Sequence, residues 1–267
     1  MRIFKRKLYE KLLDWKNNRS GRTAVLIEGA RRVGKSTLAR QFAENEYESY
    51  VMIDFSIVKK DILELFDSIA DLDYFFLQLQ FRLGVSLKER KSLIIFDEVQ
   101  MCPKARQAIK HLVADGRYDY IETGSLISIR KNVKDIVIPS EEEKMVLHPL
   151  DYEEFKWALG DTTTIAQMRM IFEKRLSMGD AVTRKLMRDF RLYMAVGGMP
   201  QAVCEYLETN NLMEVDRVKR GIIQLYEDDF YRIDQSGRIS MLFDAIPAQL
   251  SSNASRFQVA SALGDNV

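Results

Sequence analysis

The sequence predicts an α/β fold in which a parallel sheet is flanked by helices and followed by an all-helical region. Short, continuous apolar runs alternate with amphipathic helical patterns through the first 150 residues. A glycine-containing loop joins the first apolar run to the helical pattern after it. Beyond residue 150 the apolar runs stop, and charged amphipathic helical patterns take over. Strands that alternate with helices favour right-handed crossovers and therefore a parallel sheet.

Five segments are predicted as strands, and the first, Ala24 to Ile27, has the continuous apolar composition of a strand that is buried on both faces of a parallel sheet. A clean apolar stripe from Ala105 to Val113, closed by Gly116 as a predicted C-cap, indicates a helix between the third and fourth strands. The predicted strands are Ala24 to Ile27, Tyr50 to Asp54, Leu93 to Phe96, Tyr118 to Glu122 and Met145 to Leu147.

We expect three parts along the chain. Residues 1–150 form the α/β domain, which begins with an amphipathic basic helix over residues 1 to about 20. Residues 151–252 form a helical lid domain that begins at a capping box, Asp151 with Glu154, and includes a continuous helix over residues 238 to 251. Residues 253–267 resemble the start of a helix-turn-helix or winged helix, cut off before a recognition helix. A helical hairpin of the lid is the alternative for this last part.

Composition excludes several classes of protein. The 40 Lys and Arg residues balance 39 Asp and Glu, so no global charge attracts the 267-residue chain to nucleic acid. The two cysteines and two histidines lack the spacing of a zinc site. No apolar run reaches the roughly 18 residues of a membrane span, and the charged N-terminus lacks the apolar core of a signal peptide. We therefore expect a cytoplasmic protein with no membrane partner.

A phosphate-binding loop (P-loop) follows the first predicted strand. Glycine, four residues, glycine, lysine and serine occur in that order, with a buried strand before them and a helix after them. This placement points successive backbone N–H groups and a helix N-terminus at one phosphate group. The residues that we expect to contact ATP in this loop are Gly29, Ala30, Arg31, Arg32, Val33, Gly34, Lys35, Ser36 and Thr37.

Several residues of the loop have side chains that suit phosphate or metal binding. Gly29 and Gly34 let the backbone curl closely around phosphate oxygens, where a Cβ atom would collide. We expect Lys35 at the surface, above the phosphates, where its charge serves both binding and catalysis at the β- and γ-phosphates. The Ser36 hydroxyl is expected to bind Mg²⁺.

Two adjacent carboxylates, Asp97 and Glu98, follow the third predicted strand. Ligands of open α/β sheets bind at the carboxyl ends of the strands, so both side chains are expected at the same edge as the P-loop. Asp97 is predicted to join the magnesium shell. Glu98 is predicted to hold a water in line with the γ-phosphate and to act as the catalytic base.

A hydroxyl pair, Thr123 and Ser125, ends the fourth predicted strand. Either hydroxyl could sense the γ-phosphate or position water, with Ser125 favoured as a catalytic residue; a plain strand-terminating turn is the alternative. The segment Asn132 to Asp135 does not match the guanine-binding pattern Asn-Lys-x-Asp, because its lysine is displaced. ATP is therefore favoured over GTP.

Together these motifs resemble a large prokaryotic family of AAA-type P-loop ATPases that carry a C-terminal domain of unknown function. That family is related to origin-recognition and signal-transducing ATPases. The resemblance implies sheet order 5-1-4-3-2 and a helical lid after the fifth strand. The matching segments are Leu26 to Thr37, Ile95 to Gln100, Thr123 to Ser125, His148 to Phe155 and Gly197 to Pro200.

The resemblance also implies that Pro200, in the Gly-Gly-x-Pro turn, lies against adenine. The same residues are equally explained as a helix stop followed by proline in the first turn of the next helix. Related ATPases often place a sensor arginine after that proline, where this chain has Gln201. Arg117 and Arg130 are then the candidates for an arginine that stabilises transferred-phosphate charge.

Three functions remain open at this point. The favoured one is an ATP-hydrolysing molecular switch that acts on a protein partner or by self-association. The second is a nucleotide-binding adaptor with negligible hydrolysis. The third is a DNA-associated accessory ATPase, for which the sequence offers the C-terminal helix-turn-helix pattern and three basic clusters, near residues 5–7, 88–91 and 217–220.

Overall fold

A computed structural model describes residues 2–125, 139–251 and 256–264, and it contains a five-stranded, all-parallel sheet. The strand order is β2-β3-β4-β1-β5. Read from the other edge this is the predicted order 5-1-4-3-2, so the predicted fold class is confirmed. The strands are β1 Ala24–Gly29, β2 Ser49–Asp54, β3 Ser92–Asp97, β4 Asp119–Ser125 and β5 Glu142–Leu147.

Helices cover both faces of the sheet and make up every regular element described after β5. Those described before β5 are α1 Lys7–Asn18, α2 Lys35–Glu46, α3 Lys60–Leu65, α4 Leu72–Leu83 and α5 Pro103–Asp115. The others are α6 Tyr152–Ala158, α7 Thr164–Glu173, α8 Asp180–Val196, α9 Pro200–Thr209, α10 Leu212–Ile233, α11 Arg238–Asp244, α12 Ile246–Ser251 and α13 Val259–Ala262.

Two apolar cores sandwich the sheet. On one face, residues of α3, α4 and α5 pack around Phe96 and Leu26. On the other face, α1 and α2 pack against Val25, Ile27 and Ile95. Alternate residues of β1 and of β3 thus enter opposite cores, which is why the central parts of these two strands are continuously apolar. The sheet is fixed from both sides, and its carboxyl edge is a rigid platform.

A third core lies among the helices that follow β5. It contains Phe155 of α6, Val196 of α8, Val203 of α9 and Val215 of α10. Phe4, from the segment before α1, packs into the same core. The helix α6 begins with the predicted capping box, in which Asp151 accepts from the Glu154 N–H and Glu154 accepts from the Asp151 N–H. The domain boundary near residue 150 stays a prediction.

Three predicted helices differ from the structure. The first starts at Lys7, not at the N-terminus, because residues 2–6 run extended and reach other parts of the fold. The predicted helix over 238–251 is two helices that break at Ala245, two residues before Pro247, whose ring cannot continue a helix. Of the segment 255–263, the structure shows only the short helix α13, and residues 252–255 and 265–267 lie outside the described residues.

A buried carboxylate pair lies between the sheet and α5. Arg106 makes a bidentate ion pair with Glu142, with both distances 2.8 Å, and both side chains are buried. Glu122 is wholly buried beside them. Burial, followed by the negative charge of Glu142, raises the pKa of Glu122 well above its usual value, although Arg106 acts in the opposite direction. Glu122 is therefore protonated in the folded protein at a pH where the unfolded chain is charged.

We expect Glu122→Gln to stabilise the protein at pH 8, by about 1–3 kcal/mol. A carboxyl whose pKa is raised on folding contributes its full stability below the unfolded pKa and loses it as the pH rises through the folded pKa. Glutamine keeps the neutral, donating form at every pH, so the gain over wild type is large at pH 8 and shrinks towards pH 4.5. Urea unfolding of both proteins across this range measures the difference, with the exposed Glu64→Gln as control. A variant that is less stable than wild type at pH 8 would show Glu122 to be charged.

Candidate nucleotide-binding site

The P-loop joins β1 to α2 at the carboxyl edge of the sheet, and two glycines give it its shape. A Cβ atom on Gly29 would lie 2.2 Å from the backbone oxygen of Leu147 in the neighbouring strand, so only glycine fits there. Gly34 caps α2 with φ +96°, in the left-handed region that favours glycine. The loop therefore enters α2 with the helix N-terminus turned towards the loop interior.

Lys35 is buried, with 5% of its side chain surface exposed, which corrects the predicted surface position. Its Nζ atom donates to the backbone oxygens of Gly29 (3.1 Å) and Ala30 (3.0 Å) inside the loop. Burial lowers the pKa of Lys35 below its usual value, while the negative charges of Glu98 and Asp97 act to raise it. The negative charges near the Lys35 amine therefore do not fully offset the cost of burying its positive charge. An anionic phosphate can supply the missing negative charge.

Asp97, the last residue of β3, accepts two hydroxyl hydrogen bonds on the same oxygen. Ser36 Oγ donates to Asp97 Oδ1 at 2.7 Å, and Thr123 Oγ1, from β4, donates to the same atom. The parallel pairing of β3 with β4 and of β4 with β1 brings these three side chains to one edge. The P-loop and the Asp97-Glu98 pair therefore meet at one edge of the sheet, as the strand order requires.

A hydroxyl and a carboxylate form the part of this site that suits a metal ion. Hard cations such as Mg²⁺ prefer oxygen ligands, and Mg²⁺ is usually held by one or two protein groups together with waters and substrate phosphates. The Ser36 and Asp97 oxygens fit that pattern. Among residues 2–125, 139–251 and 256–264, no cluster of three or more His, Cys, Asp or Glu residues could hold a metal by itself.

Glu98 stands directly after β3 in a left-handed backbone conformation, with φ 55° and ψ 47°. This conformation is unfavourable for a residue with a Cβ atom, and such strain is concentrated at functional sites. The Glu98 N–H donates to Thr123 Oγ1 at 3.3 Å, and Gln100 Nε2 donates to Glu98 Oε2. The strained turn and these two contacts hold the carboxylate at the sheet edge, near Lys35.

Thr123 is the hydroxyl that contacts both carboxylate residues, although the sequence favoured its neighbour Ser125. Ser125 is half-buried at the end of β4, in register with Gly29 at the start of the P-loop. Side chains alternate across a strand, so Thr123 and Ser125 share a face and a catalytic part for Ser125 stays a prediction. The register, Thr123 with Ile27 and Ser125 with Gly29, does not by itself show which hydroxyl contacts the carboxylates.

A cavity of about 740 Å³ extends from the P-loop to the helices after β5. Its size lies within the usual range for small-molecule sites. Pro200 lines this cavity opposite Gly34, and a Cβ atom built on Gly34 would lie 3.8 Å from Pro200 Cγ. The P-loop side contributes Arg32, Gly34, Lys35, Ser36, Thr37, Leu38 and Gln41, and the facing helices contribute Pro200, Gln201, Cys204, Val218, Gly221, Ile222 and Leu225.

The Gly-Gly-x-Pro turn positions Pro200 by packing tightly against the end of the α/β part. The Leu150 N–H donates to the backbone oxygen of Gly198 at 2.7 Å, and a Cβ atom on Gly198 would lie 2.1 Å from the Leu150 oxygen. Pro200 then occupies the first turn of α9, so the helix-stop explanation of this motif is correct. The same turn places Pro200 at the cavity, and contact with adenine stays a proposal.

Two arginines connect the P-loop to the rest of the chain, and local sequence patterns did not reveal these contacts. Arg31, in the loop, forms an ion pair with Asp229 of α10 at 2.6 Å, and Tyr226 OH donates to the Arg31 oxygen at 2.8 Å. Arg6 is buried; it donates to the Val33 oxygen at 3.0 Å and to the His148 oxygen, and it pairs with Glu154. Val33 itself is wholly buried in the core beneath the loop.

One of the two predicted phosphate-charge arginines, Arg117, lies away from this edge. Arg117 precedes β4, at the opposite end of the sheet, and is held by Asp115 (2.8 Å) and Asp73 (2.7 Å). Arg130 lies outside the described residues. Gln201 lines the cavity.

The three basic clusters form ion pairs with carboxylates of the same chain. Lys7 pairs with Asp151 and Glu153. Lys88 and Lys91 both pair with Glu48. In α10, the basic residues pair with acidic residues one turn away, Arg217 with Glu214 and Arg220 with Asp216. Basic residues that are paired in this way are more typical of solvated helix faces than of a surface that binds DNA phosphates.

A P-loop after the first strand, a carboxylate pair after the third strand and a cavity that opens from the P-loop define the P-loop nucleotide-binding class of proteins. The family comparison agrees with this class. The model described as an AAA domain matches residues 21–156, about half of the chain, so the chain belongs to the AAA domain family. A model described as Domain of unknown function (DUF8612) matches residues 187–267. The chain is therefore an AAA-type nucleotide-binding protein.

Three solved structures are similar to this chain at low sequence identity. PCH-2 of C. elegans is 13% identical, with TM-score 0.38, covering 82% of this chain and 65% of that one. The Aeropyrum pernix ORC1 protein, solved in complex with DNA, is 12% identical, with TM-score 0.40, covering 97% and 80%. A Signal Transduction ATPase with Numerous Domains from Pyrococcus horikoshii is 16% identical, with TM-score 0.44, covering 99% and 39%.

One further comparison gave no match. No curated protein matches the chain. No helix within the described ranges is both long and apolar enough to cross a membrane.

Proposed function

We propose that this protein binds ATP with Mg²⁺, hydrolyses it, and acts as a nucleotide-dependent molecular switch in the cytoplasm. One observation carries the proposal. Lys35, Ser36, Asp97 and Glu98 lie together at the carboxyl edge of the sheet, and Lys35 and Ser36 line a cavity whose other wall is formed by α9 and α10.

Phosphate binding follows from the loop geometry. The N-terminus of α2 offers backbone N–H groups to a phosphate. Lys35 offers a buried positive charge that the nearby carboxylates do not fully balance. Ser36 and Asp97 are the residues that would hold Mg²⁺, which when bound neutralises charge on the β- and γ-phosphates. Together these groups hold the triphosphate in a fixed orientation, which is the larger part of catalysis in this chemistry.

Hydrolysis is assigned to Glu98. Two acidic residues lie at the proposed metal position, and Asp97 is the one that accepts from Ser36, so Glu98 is the other candidate. The left-handed turn and the hydrogen bond from Gln100 fix the direction of the Glu98 carboxylate. A carboxylate in that place can orient a water and take its proton as the water attacks phosphorus. Thr123 supports both acidic residues, since its hydroxyl donates to Asp97 and accepts from the Glu98 N–H.

The switch is assigned to contacts between the P-loop and α10. Arg31 belongs to the loop that binds phosphate, yet it is held by Asp229 and Tyr226 of the lid. A change in the loop on nucleotide binding or hydrolysis therefore alters contacts that hold α10. Lid elements that close on a ligand are a common route from nucleotide state to output.

The metal part of the proposal predicts that Asp97→Asn removes the Mg²⁺ dependence of ATP binding. The amide keeps the size of the side chain and can still accept from Ser36, but it removes the negative charge that attracts the cation. Titration of ATP with Mg²⁺ and with EDTA, on wild type and variant, measures this dependence. Asp54→Asn is a matched control, because Asp54 pairs in register with Asp97 at the same edge of the sheet. An unchanged Mg²⁺ effect in Asp97→Asn would place Asp97 outside the metal shell.

The direct test of the proposed function is ATP hydrolysis by purified protein, compared with Glu98→Gln and Lys35→Ala. Turnover that both substitutions abolish supports an ATPase. Nucleotide binding without turnover supports the adaptor instead, in which Asp97 and Glu98 only hold the metal. An arm with duplex DNA added tests the DNA-associated reading, for which the paired basic clusters give little support.

A further inference from the structure

Arg6 is a buried arginine just before α1, and its side chain is bonded on three sides. Nη1 donates to the backbone oxygen of Val33 at 3.0 Å, and Nη2 donates to the backbone oxygen of His148. Nε lies 3.3 Å from Glu154 Oε1, which balances the guanidinium charge. A buried charge needs such partners, because leaving it unpaired is costly. Arg6 therefore connects the P-loop to the end of β5 and to the first turn of α6.

The part of the P-loop that Arg6 holds is the peptide between Val33 and Gly34. The C=O and N–H bonds of a trans peptide point in opposite directions. Because the Val33 oxygen faces Arg6, the Gly34 N–H points away from it. Gly34 is the N-cap of α2, so the helix provides no acceptor for this N–H, and no other residue that the structure describes accepts from it. The Gly34 N–H is therefore available to a bound phosphate.

This peptide would be free to turn over if nothing held its oxygen. A flip changes ψ of Val33 and φ of Gly34, and glycine adopts positive and negative φ about equally readily. Gly34 has φ +96°, and the Val33 side chain is wholly buried, so the flanking atoms stay in place while the peptide plane turns. A flipped peptide would present its oxygen instead of its N–H to the phosphate. The hydrogen bond from Arg6 opposes that flip.

We propose that Arg6 is a positioning residue that keeps the Gly34 N–H directed at the bound phosphate. This inference rests on the proposed function, because it needs a triphosphate at the P-loop. Arg6 acts through the peptide and not by touching the nucleotide, since its guanidinium is already bonded to the chain. The planar guanidinium presents several donors in fixed directions, which the single ammonium of a lysine does not.

The test compares Arg6→Met and Arg6→Lys by calorimetric titration with ATP and with inorganic tripolyphosphate, which has no nucleoside. We expect methionine to lower both affinities by the same factor, about 10-fold, because the disturbed donor binds phosphate. Lysine keeps the positive charge beside Glu154 and part of the hydrogen bonding, so we expect a smaller loss, about three-fold. Lys156→Met is the matched control and leaves both affinities unchanged, since this buried lysine of α6 pairs with Asp161 and Asp189, outside the P-loop.

The NMR signal of the Gly34 amide separates positioning from general stabilisation. In wild-type protein labelled with ¹⁵N-glycine, this signal, assigned by its absence in Gly34→Ala, shifts when tripolyphosphate accepts a hydrogen bond from the amide. At saturating tripolyphosphate we expect a smaller shift in Arg6→Met and an intermediate one in Arg6→Lys. If Arg6→Met does not fold, the comparison of Arg6→Lys with wild type gives the same test.

Three results would overturn the proposal and leave the proposed function intact, provided that Lys35→Ala still abolishes ATP binding. The first is unchanged tripolyphosphate affinity with an unchanged Gly34 shift in the Arg6 variants. The second is a loss of ATP affinity without a loss of tripolyphosphate affinity, which means that Arg6 contacts the nucleoside. The third is an equal loss of affinity in Lys156→Met, which shows general destabilisation. If Lys35→Ala leaves ATP binding unchanged, the proposed function fails and this inference fails with it.

Discussion

Lys35→Ala is expected to lower ATP affinity by about 100-fold or more, which abolishes binding at cellular concentrations of nucleotide. The amine is already inside the loop, where it donates to the Gly29 and Ala30 oxygens, and burial disfavours its charge. A triphosphate supplies the counter-charge that this amine lacks, so the bond it forms is charge-assisted. Alanine removes that bond and leaves the phosphate charge uncompensated. Fluorescent ATP analogue titration or calorimetry measures the loss.

The same burial changes what the substitution does to the fold. Removing Lys35 leaves two loop oxygens without their donor, which is destabilising, but it also removes a charge that is costly to bury. We therefore expect a small net change in the free energy of unfolding, and circular dichroism of the variant checks it. Lys60→Ala is the control, since it removes the same charge from a lysine that is 89% exposed. A folded Lys35→Ala protein with wild-type ATP affinity would refute the P-loop assignment.

Much of the fold and of the site could be predicted because the signals are local. Each strand contains a short apolar segment, continuous in β1 and β3, and each lies within a few residues of its predicted position. The P-loop and the Asp97-Glu98 pair are contiguous motifs, and the rule that parallel strands end at one edge brings them together. The bond between Ser36 and Asp97, 61 residues apart, follows from these two facts.

The contacts that could not be predicted are those between segments far apart in sequence. Arg31 and Asp229 are separated by 198 residues, and Arg6 reaches the His148 oxygen across 142. No periodicity specifies such partners, because they depend on how α10 and the N-terminal segment pack on the sheet. The burial of Lys35 was missed for a related reason. Sequence marks it as a charged residue in a loop, whereas the curl of that loop over Gly29 and Ala30 encloses it.

Glu98→Gln is expected to reduce ATP hydrolysis by about 100-fold or more and to keep ATP affinity within a few-fold of wild type. Binding comes from the P-loop, Lys35 and the metal ligands Ser36 and Asp97, none of which needs the Glu98 charge. In-line attack needs a water that is oriented and loses its proton beside the γ-phosphate. Glutamine is isosteric and can still touch that water and accept from Gln100, but it cannot take the proton.

The measurement pairs steady-state phosphate release with ATP titration on the same preparations. Lys35→Ala gives the background rate of a protein that does not bind ATP, and Glu44→Gln, an exposed change of the same chemistry on α2, should match wild type in both assays. A Glu98→Gln protein that binds ATP normally but turns over near background confirms the division of roles between Asp97 and Glu98.

Two other outcomes contradict that division in different ways. If Glu98→Gln loses ATP binding as severely as Lys35→Ala, the glutamate belongs to the metal shell and the base is elsewhere. If wild type itself shows no turnover above background, the strained Glu98 turn and its contacts with Thr123 and Gln100 serve binding alone. In that case Glu98→Gln leaves every measurable rate unchanged, and the protein is a nucleotide-binding adaptor whose P-loop reports occupancy to α10 through Arg31 and Asp229.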